Sequence, residues 1–176
     1  MWLAFQGLLE VGCSLGRLRL VHIRMSKYAI FGDSFITRLQ ASTYGKLDFD
    51  RPHRFFGVSG MSTQRKFTSK FREMLEYRPR YVFINLGGND ITAACDIHSI
   101  YINLINIAED LYNSGVERVF VASIIERGNF KQWTGLNSKM FNKIRRSLNN
   151  KLKKYLVMIL CKWERDYSIL DTMIEI

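Results

Sequence analysis

From Lys27 onward the chain alternates short apolar runs with amphipathic stretches, and this alternation restricts its fold more than any other feature. Tyr28–Phe31, Phe55–Val58, "YVFINLG" (81–87), "ERVFVASII" (117–125) and "LVMIL" (156–160) read as five strands. Four helices are expected between them. The first covers 35–43, with Phe35, Ile36 and Leu39 at helical spacing. The second covers 64–77, capped by Ser62 or Thr63, carrying Phe67, Phe71, Met74 and Leu75 on one face and closed by Pro79. The third covers 98–113, through Ile102, Ile105, Leu111 and Tyr112, and stops at Gly115. The fourth covers 136–154, through Leu136, Met140, Ile144, Leu148 and Leu152. Strand and helix in strict alternation predict a parallel sheet with helices on both faces. The unbroken apolar run 81–87 predicts a strand buried on both sides. The loop "ERGNFKQWTG" (126–135) is long enough to expect a functional surface.

A chain of 176 residues is one domain's worth, and a 47% hydrophobic fraction excludes a disordered chain. Residues 1–25 form a poorly specified apolar leader, with Met25 as an alternative start, and 26–176 form the folded domain. The leader has no basic amino-terminal region and Glu10 interrupts it, so a secretory signal is the lesser reading and a cytoplasmic protein the expected one. Cys13, Cys95 and Cys161 leave one thiol over in any pairing, which also suits a reducing compartment. No C-x-x-C exists and the three histidines lie apart, so no metal site is expected. Oligomeric state is not legible.

Net charge is +10 and unevenly placed: between Lys139 and Arg165 stand nine Lys or Arg and one acid, Glu164. Two readings are open. The block, including Lys143, Arg145, Arg146, Lys153 and Lys154, is either a solvated helix face or an electrostatic footprint for nucleic acid.

In open parallel sheets, sites sit beyond the carboxyl ends of the strands. That rule selects "FGDSF" after the first strand, "GVSGMS" after the second and "LGGND" after the third. Each alone reads as turn chemistry. Together they supply a hydroxyl at Ser34, an unobstructed backbone N–H at Gly60 and an amide donor at Asn89. These are the parts of a serine nucleophile and an oxyanion hole. Nucleotide-binding glycine fingerprints are absent.

Over residues 27–165 these blocks resemble the SGNH, or GDSL, family of serine ester hydrolases. The resemblance implies a three-layer α/β/α sandwich with a parallel, flavodoxin-like, five-stranded sheet in the order 2-1-3-4-5. It implies hydrolysis of a small acyl ester, with Ser34 as nucleophile and the Ser34 N–H, Gly60 N–H and Asn89 amide as oxyanion donors, and no cofactor. The family's last block, Asp-x-x-His, follows the fifth strand and precedes a closing helix. Asp171 matches the aspartate, but Ile174 stands at the histidine position and the closing helix is missing. His22 lies in the leader, His53 at the wrong end of the sheet, and His98 reads as a helix-start polar residue. Three readings follow: a truncated esterase domain with impaired activity, a catalytically dead binding module, or a weak hydrolase with another base. Similar domains occur in the first reading frame of some LINE-type retrotransposons, which would suit a degenerate, basic copy.

Overall fold

The computed structural model describes residues 26–48, 51–64, 68–130 and 135–163, the last eight of them as backbone. Four strands, β1 (Tyr28–Gly32), β2 (His53–Gly57), β3 (Tyr81–Asn85) and β4 (Arg118–Val121), alternate with helices α1 (Ser34–Ser42), α2 (Thr68–Glu76), α3 (Ile97–Asn113) and α4 (Ser138–Trp163). All strand pairs are parallel and the order is β2-β1-β3-β4. This is the α/β architecture and the strand order expected for the first four strands.

Side-chain alternation along each strand divides the core in two. Ala29 and Phe31 of β1, Phe56 of β2, Val82 and Ile84 of β3 and Val119 of β4 face α2, α3 and α4, where Met74, Leu104, Leu111 and Leu148 meet them. Ile30 and Phe55 face the other way, onto Ile36 of α1, with Leu39 and Leu47 packed alongside. Each fully buried large side chain contributes about 2 kcal/mol by leaving water. The sheet is therefore the middle of three layers, with α1 alone on one side among the described residues.

That asymmetry corrects one expectation. β3 is buried on the α2–α3–α4 face only, and Phe83 on its α1 face is 40% exposed. Tyr28, Ile30, Leu39, Leu47, Phe83 and Phe120 line an open apolar groove of about 520 Å³ there.

The expected fifth strand is not a strand: 156–160 continues the backbone of α4 to Trp163. Between Ser138 and Lys162 there is no Gly or Pro to stop the helix, and a five-residue apolar run alone cannot distinguish buried strand from helix. The start of α4 also shifts. Asn137 caps it, its Oδ1 accepting the Met140 N–H at 2.8 Å, which leaves Leu136 before the helix. Phe141, Leu148 and Leu152 form its inward face, while Met140 is 38% exposed. In α3, Ile102 likewise points outward and Ile100, Leu104, Ile105, Ile107 and Leu111 are buried.

Candidate active site

The three marked loops leave adjacent strands at matched levels, because Gly32 of β1 is in register with Gly57 of β2 and Asn85 of β3. Backbone bonds join them at once. Val58 N–H donates to Gly32 O at 3.0 Å and Asp33 N–H to Asn85 O at 3.3 Å. Gly32 and Gly57 let the loops close this tightly. A Cβ on Gly32 would press on Asn85 O and come within 2.6 Å of Ile36 Cγ1, and one on Gly57 would lie 2.6 Å from Thr37 N.

Ser34 is the first residue of α1, half-buried, directly after the cap. Asp33 is that cap: its Oδ1 accepts the Phe35 N–H at 2.8 Å and its side chain is buried. Burial raises the Asp33 carboxyl above its ordinary range, while the Phe35 N–H and the nearby Arg127 and Arg38 charges oppose that rise. Position 34 thus places a hydroxyl and a backbone N–H at a helix N-terminus, where the helix field favours developing negative charge.

Gly60 is the third residue of a turn closed by Met61 N–H donating to Val58 O at 3.1 Å. Its φ of +78° is the left-handed conformation a type II turn requires there, and nothing lies where its Cβ would be. Its exposed backbone is open to a ligand.

Asn89 Nδ2 donates to Met61 O at 2.9 Å, tying the third loop to the second, and Arg127 Nη2 donates to Asn89 Oδ1 at 3.0 Å. A guanidinium only donates and a carbonyl only accepts, so the two partners fix which way the amide faces. Asp90 adds a second tie. Its carboxylate accepts the Thr63 N–H at 2.9 and 3.0 Å and the Thr63 hydroxyl at 2.6 Å, and Asn103 Nδ2 donates to the same hydroxyl at 3.3 Å. Thr63 is therefore not the cap of α2. It is buried in the loop junction, and α2 begins at Thr68.

Gly88 sits where the first, third and fourth loops come together: a Cβ there would meet Arg127 Nη2 at 3.6 Å and Asp33 Oδ2 at 3.9 Å. The structure thus gathers the loops carrying Ser34, Gly60 and Asn89 and adds Arg127, Asp90 and Thr63, which the sequence reading did not select. Arg127 lay in the loop already marked by its length. Asp90 was inside the "LGGND" block, but its reach across 27 positions to Thr63 left no local signal.

The described histidines are held elsewhere. His53 opens β2 opposite Tyr28, at the far end of the sheet; its Nε2 accepts the Leu47 N–H at 3.2 Å while Nδ1 donates to Arg51 O at 2.9 Å. His98 is exposed at the start of α3, its backbone N–H on Asp96 and its ring stacked on Tyr101. None of the described hydrogen bonds joins either ring to Ser34. His22, Asp171 and Ile174 lie outside the described residues. Among the described residues, no three His, Cys, Asp or Glu side chains gather to hold a metal ion. No helix among them is long and apolar enough to cross a membrane.

No family model and no curated protein matches the chain. Solved structures do. A protein described as an acylhydrolase from Bacteroides fragilis superposes with a TM-score of 0.60 at 22% identity, over 76% of this chain and 64% of its own. A GDSL-like lipase from Bacteroides thetaiotaomicron gives 0.56 at 23% identity, over 74% of this chain and 63% of its own. A lipolytic protein of the G-D-S-L family from Desulfitobacterium hafniense gives 0.52 at 13% identity, over 74% and 73%. The chain thus spans less than two thirds of the length of the first two. At these identities the likeness is one of architecture, and it agrees with the parallel α/β sheet described above. The chain has an SGNH/GDSL-type fold, the scaffold of the GDSL lipases and acylhydrolases.

Proposed function

We propose that this chain is an SGNH/GDSL-type esterase domain that attacks a small acyl ester through Ser34. The observation that carries this reading is the double tie of the Asn89–Asp90 loop to the Met61–Thr63 loop, both beside the Asp33–Ser34 turn. In the reaction, Ser34 Oγ adds to the ester carbonyl and its proton passes to a base. The carbonyl oxygen becomes an oxyanion received by the Ser34 N–H, the Gly60 N–H and the Asn89 amide. Met61 O occupies one of the two Asn89 N–H donors, and the second serves the oxyanion. Collapse of the tetrahedral adduct breaks the bond to the alkoxide, which leaves as the alcohol by taking the proton back from the base. Water, giving its proton to the same base, then adds to the acyl-enzyme, and the acid leaves as that proton returns to Ser34 Oγ. Each such donor is worth about 3 kcal/mol of transition-state stabilisation.

A second reading is a binding module without turnover. It is favoured by Ile174 at the position the family pattern gives to histidine, and by His53 and His98 being engaged away from Ser34. Loss of a triad base costs several powers of ten in rate while binding survives.

Hydrolysis of p-nitrophenyl acetate by the full chain and by Ser34→Ala separates the two. A rate lowered by Ser34→Ala supports the esterase. Equal rates, with Ser34 also inert to a fluorophosphonate, end the esterase reading for this chain.

A further inference from the structure

We propose that the outward face of α4 docks the phosphate backbone of a nucleic acid. At 100° per residue, Lys139, Lys143, Arg146, Lys153 and Lys154 all lie within about 60° of one direction around the helix axis. Phe141, Leu148 and Leu152, which are buried, lie on the opposite side. All five cations are exposed, and none takes part in an ion pair among the described residues. They run over about 22 Å of helix at 1.5 Å per residue.

Arg145, between Lys143 and Arg146 in sequence, does not belong to this face. It turns inward, where its guanidinium bonds Glu126, the Asn142 side chain and Ile124 O. Some described basic residues off α4 do meet acids: Arg54 and Lys70 share Glu73, and Arg80 pairs with Glu117. From Ser138 to Tyr155 there is no Asp or Glu at all, and the outward stripe is completed by the exposed amide of Asn150. An acid-free row of cations on a rigid helix is complementary to a row of phosphates, whose counterions it would release. A membrane surface fits less well. The apolar side of α4 is already spent on the core, so the helix cannot lay hydrophobic residues into a bilayer.

The test is fluorescence anisotropy with a labelled single-stranded RNA of about 20 nucleotides, on the full chain, across about 25 to 200 mM salt. Five contacts at about 0.7 each predict a slope of log affinity against log salt near −3.5. The variant K143Q/R146Q/K153Q should lose about 2 from that slope, from the same 0.7 per contact. The control K46Q/R72Q/R118Q removes the same charge from exposed positions off α4 and should leave the slope unchanged. Circular dichroism verifies that both variants fold. Three results would overturn the proposal: no RNA binding at the lowest salt, equal losses in both variants, or tighter stripe-dependent binding to phosphatidylserine vesicles than to RNA.

Discussion

Arg127 Nη2 donates to Asn89 Oδ1 at 3.0 Å, so a cation from the loop after β4 sets the orientation of the amide in the loop after β3. The same guanidinium lies against the Phe141 ring, 5.6 Å from its centroid, which anchors it to α4. Under the esterase reading Arg127 is a positioning residue, acting on the oxyanion through Asn89.

Arg127→Ala should therefore slow fluorophosphonate labelling of Ser34 by about 10- to 100-fold, less than the loss of an oxyanion donor itself. Asn89→Ala should slow it by about 100-fold or more. Labelling rates for the two variants and the parent check the order. An Arg127→Ala rate equal to the parent's would show that Met61 O alone holds the amide.

The Asp90–Thr63 clip should matter for stability. Asp90→Ala leaves the buried Thr63 N–H without its acceptor and should cost about 3 kcal/mol, the range for an orphaned partner of a charge-assisted bond. Thr63→Val keeps the N–H bond and loses the hydroxyl's two, to Asp90 and from Asn103 Nδ2, costing about 1 to 2 kcal/mol. Urea unfolding of both variants measures the difference. Equal costs would mean that the hydroxyl, and not the backbone N–H, carries the clip.

Two glycines should behave differently for stated reasons. Gly32→Ala pushes a methyl against Asn85 O and Ile36 Cγ1 and should cost about 3 kcal/mol, at the upper end of overpacking. Gly60→Ala meets open space, so only its left-handed φ of +78° is strained, costing about 1 kcal/mol. Thermal unfolding ranks them. Reversal of the order would contradict the loop packing described here.

Asp33 gives a pH dependence with a definite sign. Burial, the largest influence, holds its folded-state pKa above the ordinary 3.8, so between those two values the native state keeps a proton that the unfolded chain has lost. Through this group, stability falls as pH rises across that window and is level above it. Asp33→Asn keeps an oxygen for the Phe35 N–H and removes the titration. Its stability relative to the parent should climb as pH rises from about 4 and then plateau. Urea midpoints for both proteins at a series of pH values check this, and a difference constant with pH would refute it.

The sequence alone determined the alternating α/β order, the parallel pairing and the three strand-end loops that meet. These follow from local periodicity and from turn residues such as Gly32, Gly60 and Gly87, which speak for their own neighbourhoods. It misjudged 156–160, because a five-residue apolar run carries no period and the helix before it has no stop. It placed Thr63 as a cap and grouped Arg145 with the solvent-facing cations, because residue type does not say which partner a side chain finds. Only the tertiary structure decided that Asp90 clasps Thr63, that Arg127 orients Asn89 and that one sheet face leaves Phe83 open. Those contacts join residues tens of positions apart. Their geometry is set by strand register and loop closure, which a linear pattern does not encode.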